Sequence, residues 1–220
     1  MTKPRDQDLP AATPDGDTEQ RILDAAHDVF VRRGSAGARM KEIAETAGVN
    51  QALLHYYFRS KERLAEAVFR HAARQLMPRV IAVLASEATI EEKVERVVHL
   101  EIEQLSRAPY LPGYILSELS HNPERVHQLI GAMMGIEPDG FLPQVFTTLK
   151  RQIDARARAG TMRRIAPEQF VINLLALCIF PFAAKPMLMA LLHLDQEGFE
   201  HLIAQRKKEI TTFFLKGLRP

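Results

Sequence analysis

The chain has 220 residues, and its 29 Lys plus Arg against 27 Asp plus Glu leave a formal charge of +2. At about 150 residues per domain this length gives one domain or two. Apolar residues are 46% of the chain and charged residues 25%, which allows a substantial core, excludes wholesale disorder and announces no nucleic-acid or membrane partner through global charge.

A single cysteine, Cys178, excludes an intrachain disulfide and an all-cysteine metal site and fits a reducing compartment. No apolar signal segment is visible in the Pro- and Asp-containing N-terminus, so the expected location is the cytoplasm. Charge is uneven along the chain: residues 1–17 carry −2, residues 18–79 carry +4, and the remainder is neutral.

Residues 1–16 hold three prolines and no apolar period, as expected of a disordered arm. Beyond them nearly every segment repeats at helical spacing and alternating β patterns are absent, so the fold class is all-α. Asp17 and Thr18 are capping candidates for a first helix that buries Ile22, Ala25, Ala26, Val29 and Phe30 and stops at Gly34. A short second helix carries Met40, Ile43, Ala44 and Ala47 on one face and ends at Gly48, a residue free to take positive φ. Asn50 is placed to cap a third helix, Gln51 to about Phe58, whose buried pair is Leu54 and Phe58. Ser60 caps a fourth, with Leu64, Ala67, Val68, Ala72 and Leu76 inward, expected to end at Pro78. Further helices are expected at roughly 80–86, 90–107, 113–121, 124–134, 141–159, 167–192 and 196–217, with prolines in or near the joints.

Two short helices joined by a tight Gly turn, the second outward-facing and rich in polar and aromatic residues, form the arrangement that lays a recognition helix in the DNA major groove. The exposed set is Gln51, Ala52, Leu53, His55, Tyr56 and Tyr57. Gln can bond adenine bidentately, and Ala or Leu can pack on a thymine methyl. The Tyr hydroxyls, Arg39 and Lys61 suit phosphates, Lys61 at a helix start. Lys41 and Asn50 complete the candidate DNA-binding residues.

The stretch from Thr18 to Val68 resembles the N-terminal DNA-binding domain of TetR-type transcriptional regulators. Ile22, Ala25, Ala26, Phe30 and Gly34 match that family's first helix, and Ile43, Ala44, Ala47, Gly48 and Val49 its second helix and turn. Leu54, Tyr57, Phe58, Lys61 and Leu64 match the recognition helix and the start of the fourth helix. Two positions depart: Ala38 and Arg39 stand where Thr or Ser usually opens the second helix, and His55 stands where Tyr is common. The resemblance implies a helix-turn-helix domain over 17–62 and a larger helical domain over 63–220 that binds a small effector and dimerises. It also implies a homodimer on a palindromic operator, usually as a repressor, with residues 167–192 and 196–217 forming the dimer interface.

The remaining features carry less. Phe170 to Leu192 is nearly long enough to span a membrane, but Asn173, Lys185, Pro181 and Pro186 interrupt it, so a buried helix kinked or broken by proline is expected and no membrane partner. His99 and Glu103 lie four apart on one helical face, as in a metal site, yet no further ligand can be placed and a surface pair is the simpler reading; no metal or cofactor is expected. His121 and His127 flank Pro123 and read as solvent residues. Glu103, Tyr110, Tyr114 and Glu118 are the candidate polar contacts of an effector pocket, with Met133 and Met134 as adaptable lining, although core packing is the simpler role for Met133, Met134, Met187 and Met189. Cys178, in an apolar setting, reads as an inert thiol. A second class of function, an enzyme or carrier for an apolar molecule in the C-terminal domain, lacks a catalytic motif. Activation rather than repression is not separable by sequence.

Overall fold

The structure, a computed structural model, describes residues 14–121 and 138–220. All secondary structure among these residues is helical. In chain order the helices are α1 (Pro14–Gly37), α2 (Met40–Ala47), α3 (Gln51–Tyr57), α4 (Lys61–Ala85), α5 (Ile90–Arg107), α6 (Leu111–His121), α7 (Pro138–Arg158), α8 (Pro167–Ala183), α9 (Lys185–Leu191) and α10 (Gln196–Gly217). The chain divides into two compact units after Val68, six residues beyond the expected boundary at residue 62. Most of the expected arm over 1–16, the helix expected at 124–134, and Met133, Met134 and His127 lie outside the described residues.

The first unit is built on the apolar stripe of α1. Ile22, Ala25, Ala26, Val29 and Phe30 are all buried, facing Ile43, Ala44 and Ala47 of α2 and Leu54 and Phe58 around α3. Regular helix in α1 ends at Gly34, whose φ of 69° and ψ of 161° only glycine adopts readily, and one more turn continues to Gly37. At Gly48 the φ of 65° lets its N–H, with that of Val49, close the carbonyls at the end of α2. Asn50 then caps α3 by accepting the Leu53 N–H at 2.7 Å, and the Ser60 hydroxyl accepts the Arg63 N–H at 3.3 Å at the start of α4.

The second unit is organised around α5. Thr89 and Glu92 form a reciprocal capping box: the Thr89 hydroxyl accepts the Glu92 N–H at 3.2 Å and the Glu92 carboxylate accepts the Thr89 N–H at 2.8 Å. Val94, Val97, Val98, Ile102 and Leu105 of α5 are buried, as are Phe170, Leu174, Cys178 and Phe182 of α8 at a strict four-residue spacing and Phe199, Ile203, Ile210 and Phe214 of α10. Phe170 meets Phe214 edge-on at 5.1 Å and Phe182 meets Phe199 at 6.3 Å, locking α8 to α10. Buried Lys93 donates to the Leu84 carbonyl and to Gln152 of α7, each at 2.8 Å, while Gln152 donates to the Ala88 carbonyl at 3.0 Å, so α7 is fastened to the joint between α4 and α5.

One proline expectation is corrected and a second takes the form of a break. Pro78 does not end the fourth helix: α4 runs through it to Ala85, because Pro78 and Arg74 both face solvent and the carbonyl freed four residues earlier can meet water. The segment 167–192 is two helices rather than one. Pro181 is accommodated inside α8; the break falls at Ala184, and Pro186 occupies the first turn of α9, where its missing N–H costs nothing. No single helix among the described residues is long and apolar enough to cross a membrane, and α8 and α9, which together reach that length, are bent by 70° at the break.

Candidate nucleic-acid interface

Burying Leu54 and Phe58 fixes the rotation of α3 about its axis. The stacked positions 51 and 55, and 52 and 56, therefore face outward as a strip one turn deep. Gln51, Ala52, His55 and Tyr56 are exposed, Tyr56 at 74%, whereas Leu53 and Tyr57 are half-buried. The Tyr57 ring packs edge-on against Tyr56 at 5.4 Å and near Phe58 at 6.4 Å, which anchors the aromatic end of the strip to the core. A polar side chain (Gln51), an imidazole (His55), a methyl (Ala52) and a phenol (Tyr56) on one rigid short helix can meet base edges and sugar-phosphate together.

Basic groups flank the strip. Arg39 is exposed at the N-cap of α2, in extended backbone, and its side chain makes no cap bond. Lys41 is exposed and lies 3.9 Å from Glu45. Asn50 spends its carbonyl on the α3 cap, so its part is to set the helix start. Lys61 is half-buried and donates to the Ala36 carbonyl at 2.7 Å, tying the start of α4 to the turn that closes α1, a contact no local pattern foretold. Its ammonium keeps further donors for an anion. Beside it, the backbone of the α4 first turn and the Ser60 hydroxyl hold the Glu62 carboxyl below its ordinary range.

Arg21 is a residue that the sequence did not single out. It reaches across from α1 and donates to the Ala47 carbonyl at 2.8 Å, bracing the end of α2 at the turn. A Cβ on Gly48 would lie in ordinary contact with its guanidinium at 3.5 Å; what the turn requires of Gly48 is its φ of 65°. The position of Arg21 immediately before Ile22 carries no signal of that reach.

The candidate effector residues of the second unit do not gather into one site. Tyr114 is buried, its ring 5.3 Å from that of Phe69, and Tyr110 is half-buried. Glu103 faces solvent, 2.6 Å from Arg107 and 3.6 Å from His99, in pairs along α5. The inward carboxyl on that helix is instead Glu101, two residues and roughly 200° away. The Glu118 side chain, like Met133 and Met134, lies outside the described residues. Among the described residues no group of three His, Cys, Asp or Glu could hold a metal ion. Burial and the neighbouring Glu101 charge push the Cys178 thiol up to about 12, which makes it a poor nucleophile.

Residues 22–68 match the profile of the bacterial regulatory proteins, tetR family. Over 88 residues the chain is 36% identical to the HTH-type transcriptional regulator BetI of Rhizobium meliloti (strain 1021), covering 40% of this chain and 43% of that protein. The chain spans about half the length of the curated relatives it matches. The fold extends further than this sequence match. A transcriptional regulator of the TetR/AcrR family from Thermobifida fusca YX-ER1 shares it with a TM-score of 0.59 at 19% identity, over 93% of this chain and all of that one. The transcriptional regulator FadR from Bacillus subtilis, solved in complex with stearoyl-CoA, shares it with a TM-score of 0.57 at 17% identity, over 91% and 99% of the two chains.

Proposed function

Because the chain belongs, through residues 22–68, to the TetR family of bacterial regulatory proteins, we propose that it is a transcriptional regulator that binds operator DNA through α3 and is released by a small, largely apolar effector. One observation carries the DNA-binding part: the Gly48 turn and the buried pair Leu54 and Phe58 present Gln51, Ala52, His55 and Tyr56 as one exposed strip. Gln51, Ala52 and Leu53 are assigned to bases, and Arg39, Lys41, Tyr56, Tyr57 and Lys61 to the backbone, with His55 at the boundary between the two.

The working form is a homodimer on a palindromic site. Its support is the apolar surface on α8 and α10: Ile172, Phe180 and Phe213 are 57%, 55% and 68% exposed, and the last two line a cleft of about 440 Å³. Such a patch marks an interaction surface. Pairing two copies doubles the +4 charge of residues 18–79 facing phosphates.

The effector acts by preferring a conformation whose two α3 helices no longer match successive major grooves. Moving a 1:99 equilibrium to 99:1 requires a differential affinity of about 5.5 kcal/mol, which calls for a buried, mostly apolar site in residues 69–220. The fold is shared with a regulator solved holding an acyl ligand. Repression is the reading adopted for the sign of control, and a promoter reporter with and without the gene tests it. For DNA binding the test is to incubate purified protein with fragmented genomic DNA and sequence what is retained. A short inverted repeat near a few promoters is expected; retention of no common sequence by folded protein contradicts the proposal.

A further inference from the structure

Pro181 has no amide hydrogen, so the carbonyl four residues earlier, that of Leu177, has no partner within its own helix. Pro78 creates the same vacancy in α4, but there Pro78 and Arg74 face solvent and the freed carbonyl can meet water. Pro181 is buried, and α8 nevertheless runs unbroken from Pro167 to Ala183. A buried acceptor left unmade costs more than an ordinary hydrogen bond returns, so a donor is required from elsewhere. Arg206 of α10 supplies it: the guanidinium Nη2 donates to the Leu177 carbonyl at 2.9 Å.

This bond is what Arg206 does here. It is the one hydrogen bond that the side chain makes among the described residues, and its Nε is buried without a partner among them. Ile203 and Ile210, one turn to either side on α10, are buried, so an apolar side chain at 206 would cover the same ground without taking a charge out of water. Arg206 and Leu177 both line the cleft of about 440 Å³ between α8 and α10, whose described lining holds no acidic side chain. Phe180 and Phe213, the exposed aromatic residues of that cleft, stand close by in sequence. Phe180 immediately precedes Pro181, and Phe213 lies two turns beyond Arg206 on the same side of α10.

We propose that Arg206 is a positioning residue: it supplies the hydrogen bond that Pro181 withholds from α8, and thereby holds Phe180 and Phe213 as one surface for a second copy of this chain. The pairing half rests on the homodimer reading above, whereas the link between Arg206 and Pro181 stands without it. Because residue 181 cannot close the Leu177 carbonyl itself, the hydrogen bonding of α8 is completed only when α10 is docked against it. An alanine at 181 would let α8 complete itself and leave α10 uninvolved.

The test is a double-mutant cycle in the full-length protein, with Arg206→Met and Pro181→Ala made singly and together. Thermal unfolding at one protein concentration and sedimentation are the readouts. Arg206→Met strands the Leu177 carbonyl and should lower Tm by about 5 °C. Pro181→Ala restores an N–H four residues after Leu177, so in that background Arg206→Met should lower Tm by less than roughly a third as much. An equal loss in both backgrounds overturns the inference, since a packing or charge role of Arg206 is indifferent to residue 181; so does no loss in either. Should Arg206→Met alone not fold, the combined variant is expected to fold, and its failure to do so also overturns the inference. For the pairing half, Arg206→Met should weaken self-association at least tenfold and the combined variant should recover it. Coupled Tm values in a protein that stays monomeric, or whose dimer is unaltered, uphold the link between Arg206 and Pro181 and instead remove the α8 and α10 face from pairing.

Discussion

Lys61 shows how one side chain can serve architecture and, by proposal, DNA binding together. Its bond to the Ala36 carbonyl joins α4 to the end of α1, and the same ammonium keeps further donors for the phosphate contact proposed for it. Lys61→Ala should weaken binding to all DNA sequences alike and reduce the salt slope by about one. An unchanged slope in salt titrations would confine Lys61 to its structural contact. Glu101 allows a prediction with a definite sign. Its folded pKa of about 7 lies above the ordinary 4.5, so folding favours its protonated form: that stability is fully present at low pH and lost as pH rises through 7. Removing the group with Glu101→Leu should therefore stabilise the protein more at pH 8 than at pH 5, by on the order of 3 kcal/mol at full burial. Denaturant unfolding at the two pH values measures this, and a pH-independent difference would contradict it. The two differ in how far the sequence foretold them: a lysine at a helix start looks like any other, whereas the 97, 98, 101, 105 spacing sets Glu101 and not Glu103 on the apolar face of α5, a signal that the candidate pocket residues passed over.

At the scale of elements, helices with strong local signals were legible to the residue. Thr89 and Glu92 mark the start of α5, Asp195 accepts the Gly198 N–H at 2.8 Å at the start of α10, and both helices take the expected bounds. The recognition helix was equally plain, since Asn50, Leu54 and Phe58 fix its start and inner face and leave the rest outward. Proline misled at one position and not at another: at Pro78 the solvent-facing side of the helix tolerates the lost bond, whereas beside Pro186 the chain breaks at Ala184 and turns by 70°, as its prolines allowed. The exposed apolar side chains of α8 and α10 define the proposed pairing face. The double variant Phe180→Glu with Phe213→Glu alters exposed positions and should leave the fold intact while giving monomers that bind DNA poorly. Light scattering reports the mass, and a dimer that survives both substitutions would remove α8 and α10 from the interface.

For the whole molecule, labour is divided between two compact units. Residues up to Val68 hold an exposed polar and aromatic strip on α3, and those from Phe69 onward hold a helical core with a buried, unpartnered carboxyl oxygen and an apolar outer face. Fold class and the exposed strip on α3 were legible from periodicity, caps and one glycine turn, all local. The buried layer around Glu101 was not, because it is assembled from α5, α8 and α10, drawn from residues 90–217, and no local spacing records which side chains meet across them. The central claim is that the α3 strip reads bases. Its most direct test is to measure the affinity of the unmodified protein and of Gln51→Ala for the recovered operator, for single-base variants of it, and for scrambled DNA of equal length. Gln51→Ala is predicted to lose about 1 to 3 kcal/mol of discrimination at one position of each half-site while scrambled DNA binds as before. Unaltered discrimination at every position by folded, dimeric Gln51→Ala would contradict it.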